Sequence, residues 1–387
     1  MKNLSTLKKS TTVNKKHLHI VCHDVPYPPD YGGVFDLFYK IKSFAEAGIA
    51  IHLHCFEYGR GMQAELDQYC ESITYYKRKN ILFSRKPLRL PYIVSSRANE
   101  ILITNLLKDE YPVLLEGIHC TYWLYKNKLK GKKVLVRLHN VEHEYYRALA
   151  KATGNIFKKI YFVTESALLK NYEKIISNKA IFIAVNEKDE NTYKNLFGTK
   201  KTNYLPVFLP YDEVEAEKGR GTFCLYHGNL SVAENERAVL WLLQNVFNNI
   251  KIPFVIAGKN PSRKLTKFVY KNKNTCLIAN PADHEMNELI KKAHVHILPS
   301  FNKTGIKIKL LNALFNGRFV IANDAAIEGT GIESLCEIAN SAEEYKNILP
   351  AIFSKNFTEE NILERKQILE KTYNKKDNTE TLSRWIW

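Results

Sequence analysis

The 387-residue sequence is short of acid: 40 Asp and Glu stand against 57 Lys and Arg, a net charge of +17. Such a field favours anionic partners, among them nucleic acid, an anionic membrane face and a nucleotide-linked substrate. The same lysines read equally as a solvated surface. Long hydrophobic runs are missing as well, and no stretch approaches the ~18 apolar residues of a membrane-spanning helix. The first sixteen residues, MKNLSTLKKSTTVNKK, hold no apolar core of a signal peptide and predict a disordered basic tail. Cysteines are few and scattered, seven in all with no CxxC pair. That argues against a disulfide framework or a zinc site and predicts reduced thiols in a cytoplasmic protein. A GxGxxG fingerprint is absent, so dinucleotide binding has no direct support. Helix-turn-helix, RNP-like and zinc-finger patterns are also absent, and the lysines are dispersed, which weakens a nucleic-acid reading.

What is present is a globular composition, 45% hydrophobic and 25% charged, in a chain long enough for two domains. Apolar strand-like runs alternate with helical patterns. HLHIVCH (17–23), IAIHLHCF (49–56), VLLEG (113–117), KVLVRLH (133–139) and AIFIAV (180–185) are separated by enough chain for crossovers. The segment 204–220, with prolines, acids and glycines, predicts a linker. Alternation restarts with FCLYHG (223–228), FVIAG (254–258), TCLIAN (275–280), VHILPS (295–300) and FVIAN (319–323). This βαβ grammar predicts an α/β fold of two Rossmann-like domains facing across a cleft, at 17–203 and 221–354. A helical segment, 355–387, follows, and packing back on the first domain is one option for it. Ligands in such sheets gather at the carboxyl ends of the strands.

The strand ends hold the candidate site residues. HDVPYPPDYGG ends the first strand, where Gly32 and Gly33 permit close backbone approach to a ligand, or form an ordinary turn. Glu116 follows VLL as a cleft carboxylate or a solvated strand end. RLHNVEHEYY places His139 at a strand-to-helix junction, with Asn140 as an N-cap and Glu142 and Glu144 in the first turn. The cap explains Asn140 but not His139. In the second half Gly228, Asn229 and Lys259 end strands. PSFNKTGIKIKLLNALFNG then sets Thr304, Gly305, Ile306, Lys307 and Lys309 before and into a helix containing Asn312. Cations at a helix N-terminus oppose its positive end unless an anion such as phosphate sits there.

PYPPDYGG, RLHNVEHEYY, YHGNLSVAEN, AGKNPS and PSFNKTGIKIKLLNALFNGRFVIA together resemble a GT-B fold glycosyltransferase, most like the GT4 (glycosyltransferase group 1) family, over nearly the whole chain. The resemblance implies transfer of a hexose from a UDP- or GDP-linked sugar to a glycan or lipid-linked glycan, with retention. It implies no cofactor and no metal, in keeping with the absence of a DxD motif. Two family glutamates that hold the donor align here with Thr304 and Asn312. Two family cations that contact the diphosphate align with Asn229 and Asn235. Lys307 is the implied replacement cation and, with His139, the implied catalytic residue. Gly228, Asn229, Lys259, Thr304, Gly305, Ile306 and Asn312 are implied donor contacts, and Gly32, Gly33 and Glu116 belong to the acceptor side. The competing readings are a nucleotide-sugar epimerase of the same fold, a catalytically decayed relative and a basic nucleic-acid-binding protein. A lipid-linked acceptor would bring the protein to the inner membrane face. The basic tail and the lysines at 126–133, beside Tyr122, Trp123 and Tyr125, are the expected contacts.

Overall fold

The computed structural model describes residues 15–79 and 90–387; most of the basic tail lies outside the described residues. The first half builds a seven-stranded sheet from β1 (His17–Cys22), β2 (Ala50–Glu57), β3 (Ser72–Lys77), β4 (Val113–Glu116), β5 (Val134–Leu138), β6 (Ile181–Ala184) and β7 (Thr202–Tyr204). All pairings are parallel, in the order β3-β2-β1-β4-β5-β6-β7. The second half builds a six-stranded parallel sheet from β8 (Cys224–His227), β9 (Phe254–Gly258), β10 (Thr275–Ala279), β11 (Val295–Ile297), β12 (Phe319–Ala322) and β13 (Glu337–Ile338). Its order is β10-β9-β8-β11-β12-β13. The central strands are largely apolar because helices cover both faces; β4 and β5 are buried at every position, Glu116 and Arg137 included.

The strand order reverses between β1 and β4 in one sheet and between β8 and β11 in the other. A doubly wound sheet opens a crevice outside the strand ends at that point. Here the two crevices face each other.

The segment read from sequence as a linker, 204–220, is buried over Leu205–Leu209 and mostly exposed after that. Leu205 and Phe208 pack with the first domain, while Val207 and Leu209 pack with the second. The C-terminal helix Lys375–Ile386 sends Leu382 and Ile386 into the first domain's core beside Leu18 and Ile20. Asn140 does not cap the following helix, which runs Glu142–Ala152 behind Val141. Its free amides at Glu142 and His143 are instead held by the buried Glu173 carboxylate, at 2.9 and 3.4 Å. The helix after Gly305 begins at Ile308, with Lys307 at the cap position and Lys309 inside the first turn.

Candidate active site

The first-domain side of the cleft rests on a chain of buried charge. Asp36, on helix Gly32–Glu46, accepts from Arg137 Nε and Nη2 at 3.0 and 3.1 Å and from Lys40 Nζ at 3.0 Å. Lys40 Nζ lies 2.9 Å from Glu116 Oε1, and Glu116 Oε2 lies 3.1 Å from His139 Nε2. Two carboxyls and two basic side chains pair off, and Arg137 beside Asp36 helps hold that carboxyl well below the usual range despite its burial. One donor atom each from Asp36, Glu116 and His139 lie within 4.8 Å of one another, close enough for a metal ion. Lys40 and Arg137 already occupy those carboxylates, so the donor set does not fit a divalent cation.

Glu116 is fully buried and therefore touches His139 rather than an acceptor. The carboxylate accepts from His139 Nε2–H, a partner that fixes the ring and leaves Nδ1 for a ligand. Two further histidines, not singled out in the sequence, stand behind it. The His23 ring lies 5.5 Å from His139 and 5.2 Å from His119, centroid to centroid. Burial, with Arg97 and the neighbouring rings, pushes His23 and His119 well below ordinary imidazole values. Each has a buried Nδ1 without a hydrogen-bond partner among the described residues. Gly33 is required beside them: a Cβ there would fall 2.7 Å from the Tyr31 ring and 3.3 Å from His23 Nε2.

Across the cleft, Gly228 follows β8, and its backbone packs so closely on β9 that a Cβ at Gly258 would fall on the Gly228 carbonyl. Lys309 reaches this loop. Its Nζ donates to Tyr226 Oη at 2.8 Å and Asn235 Oδ1 at 2.9 Å. Lys307 Nζ instead turns back to the Thr304 carbonyl at 2.7 Å. Burial lowers both lysines, Lys309 to about 7. Neither forms an ion pair among the described residues. Two half-buried amines resting on neutral oxygens are costly to charge, and an anion beside them would offset that cost.

The two sides meet at a cavity of about 170 Å³ walled by Gly32, Gly33 and His139 from one domain and Thr304, Gly305 and Ile306 from the other. Gly305, at φ +63°, presses against the first domain: a Cβ there would sit 2.4 Å from Asn140 Oδ1. The other sequence candidates lie off this wall. Lys259 is exposed, and its carbonyl holds the Leu230 amide at 2.9 Å. Asn229 Oδ1 accepts from Ser231, closing its own turn. Asn312 Oδ1 accepts from Asn316 on the same helix at 2.9 Å.

Residues 221–349 match the family model described as glycosyl transferases group 1. A protein of the Klebsiella pneumoniae cps region, an uncharacterized 44.6 kDa protein, is 30% identical over 334 residues, 81% of this chain and 84% of that one. The chain belongs to the glycosyl transferases group 1. Solved glycosyltransferases of the GT-B fold superpose on nearly all of it. S. aureus TarM, in complex with fondaparinux, alpha-GlcNAc-glycerol and UDP, matches with a TM-score of 0.66 at 10% identity, over 96% of this chain and 99% of that one. Anabaena HepE, in complex with UDP and glucose, matches at 0.63 and 9% identity, over 95% and 98%. An alpha,alpha-trehalose-phosphate synthase (UDP-forming) from Burkholderia xenovorans matches at 0.63 and 8%, over 96% and 99%. At such identities these likenesses carry the fold.

The family resemblance implies a cation at 235, where this chain has asparagine. Asn235 Oδ1 accepts from the amine of Lys309, which reaches across from helix Ile308–Asn316. Lys309, rather than Lys307, is the cation facing the Gly228 loop. The clue was in the sequence: an asparagine where a lysine is usual, and a second lysine two residues beyond the first.

Proposed function

We propose that this glycosyltransferase moves a hexose from a UDP- or GDP-linked donor to a glycan or lipid-linked glycan, with retention and without a metal or other cofactor. One observation carries the reading. Lys307 and Lys309 are half-buried and form no ion pair among the described residues, beside a glycine loop and the N-terminus of helix Ile308–Asn316. A diphosphate supplies the missing charge there and engages the helix's free amides. As the sugar–phosphate bond breaks, negative charge grows on the departing diphosphate, and prepositioned cations stabilise that state most. His139, steadied by Glu116, offers Nδ1 to a sugar hydroxyl, with the Gly32–Gly33 backbone admitting the acceptor. UDP in the TarM and HepE structures supports a uridine donor. Retention rests on the family likeness.

The cavity is smaller than the roughly 300–1,000 Å³ of small-molecule sites, so the domains part to admit a nucleotide sugar. An epimerase is less favoured because the nearby carboxylates, Asp36 and Glu116, are fully committed to Lys40 and Arg137.

The test is a thermal-shift and transfer assay with UDP-, GDP-, ADP- and CMP-sugars in EDTA. A true donor at 100 times its dissociation constant stabilises the fold by about 2.7 kcal/mol. Activity lost in EDTA and restored by Mg²⁺ or Mn²⁺ would overturn the metal-free mechanism. No shift with any nucleotide sugar would overturn the donor site.

A further inference from the structure

We propose that the tip of the helical hairpin formed by Glu142–Ala152 and Ile156–Ile176 is the surface by which this protein lies on an anionic lipid membrane. The proposal rests on the lipid-linked-acceptor reading above and supplies its docking face.

The second helix of the hairpin has two apolar sides. Ser166, Leu169, Tyr172 and Ile176 are buried against the domain. On the opposite side Ile156, Ile160, Val163 and Ala167 follow one another at steps of four, three and four, forming a second stripe. Ile156 is 60% exposed, Ile160 59% and Val163 55%, and the adjacent Phe157 is 80% exposed. Among the described residues nothing covers them. A contiguous exposed apolar stripe of this kind marks an interaction surface.

Charge decides the partner. No acidic residue lies between Glu144 and Glu165, while Arg147, Lys151, Lys158 and Lys159 do, all exposed. Apolar side chains set among cations fit the boundary of an anionic bilayer, where a helix lies in the plane with its apolar face sunk among the acyl chains. A second copy of this chain fits poorly. A self-complementary contact through the stripe would bring the lysines of one copy against those of the other.

The hairpin also connects to the cleft. Its first helix starts three residues after His139, and its eleven residues span about 16 Å. A docked tip therefore holds the cleft within reach of a lipid-borne acceptor. The cluster at Lys126–Lys133 is less suited than its sequence suggests. Trp123 is buried with its indole N–H donating to the Asn99 carbonyl at 3.0 Å, and the Tyr125 ring packs on Tyr172 at 5.2 Å. Of its three aromatic residues that leaves only the half-buried Tyr122 beside the lysines.

The experiment is co-sedimentation of the full chain with vesicles of phosphatidylcholine, with and without phosphatidylglycerol, at low and high salt. Wild type is expected to sediment with the anionic vesicles at low salt only. F157S/I160S should abolish that binding, and K158Q/K159Q should weaken it by roughly 30-fold, about fivefold per lysine. All four positions are exposed, so both variants should melt like wild type. Failure of wild type to bind anionic vesicles, or wild-type binding by F157S/I160S, overturns the proposal. So does a wild-type dimer in sedimentation velocity that F157S/I160S disperses without any lipid binding. A nucleotide-sugar thermal shift on the same samples reads the donor site separately: its absence with vesicle binding intact would sink the enzyme reading and leave the docking surface standing.

Discussion

At the scale of single residues, Lys309 carries a pH signature that an exposed lysine would lack. Burial holds it to about 7, while a bound diphosphate stabilises its charged form. Below pH 7 the amine is already protonated and donor affinity is flat. Above it, binding must take up a proton, so the dissociation constant for a nucleotide sugar rises by up to about tenfold per pH unit. Isothermal titration from pH 6.5 to 9 checks this, and a flat profile would remove the charge from Lys309. Lys309→Ala should lower turnover by roughly a hundredfold, about 3 kcal/mol, and more than Lys307→Ala does. Equal losses, or the reverse order, would return the role to Lys307. Both lysines were visible in the sequence, but which one faces the ligand depends on where the helix begins. A start at Ile308 turns Lys307 into the cap and aims Lys309 at the Gly228 loop. Helix boundaries are the least legible feature of a sequence.

At the scale of elements, legibility followed burial. The strands with apolar runs were readable because a parallel strand covered on both faces is nearly continuous in apolar residues. Three strands were not: β3 is polar SITYYK at a sheet edge, β7 is three residues long and β13 two. The charge chain through helix Gly32–Glu46, β4 and β5 was equally hidden, since Asp36 and Lys40 look like ordinary polar positions on a helix. Asp36→Asn should cost about 3–5 kcal/mol in urea unfolding, because Arg137 and Lys40 would remain buried with too little negative charge. A loss below about 1 kcal/mol would mean that water reaches the network. The loop at Gly305 allows a different test. An alanine there meets both a left-handed φ and the Asn140 side chain, so Gly305→Ala should weaken donor turnover far more than it lowers the melting temperature. Asn140→Ala in the same chain should restore part of the loss by clearing the clash. A double variant no better than the single would place the whole effect in the backbone.

At the scale of the molecule, two domains and their strand-end cleft were legible, whereas the cavity between them was not, because it depends on Gly305 meeting Asn140 across the domain boundary. The imidazoles spread through both domains were also hidden, and they govern how the whole fold responds to acid. His19 Nδ1 lies 2.9 Å from His54 Nε2 across β1 and β2, and His17 Nδ1 lies 3.0 Å from His52 Nε2. The buried His19–His54 pair resists double protonation. Burial holds His54 and His227 down to about 3 and pushes His23, His119 and His296 well below their ordinary value. An imidazole depressed in the folded state binds its proton only on unfolding. Its stabilising contribution is therefore complete above the unfolded value of about 6.5 and is lost as pH falls below it. Each fully depressed ring contributes a slope of up to about 1.4 kcal/mol per pH unit. Acidification also adds charge to a chain already at +17, which increases self-repulsion. Unfolding free energy measured in urea should fall between pH 6.5 and 5, where the five depressed rings outnumber Glu142, Glu165 and Asp189, whose values burial raises and whose effect runs the other way. A level profile down to pH 5 would mean that these rings are protonated in the folded protein, and the neutral histidine cluster behind His139 would fall with it.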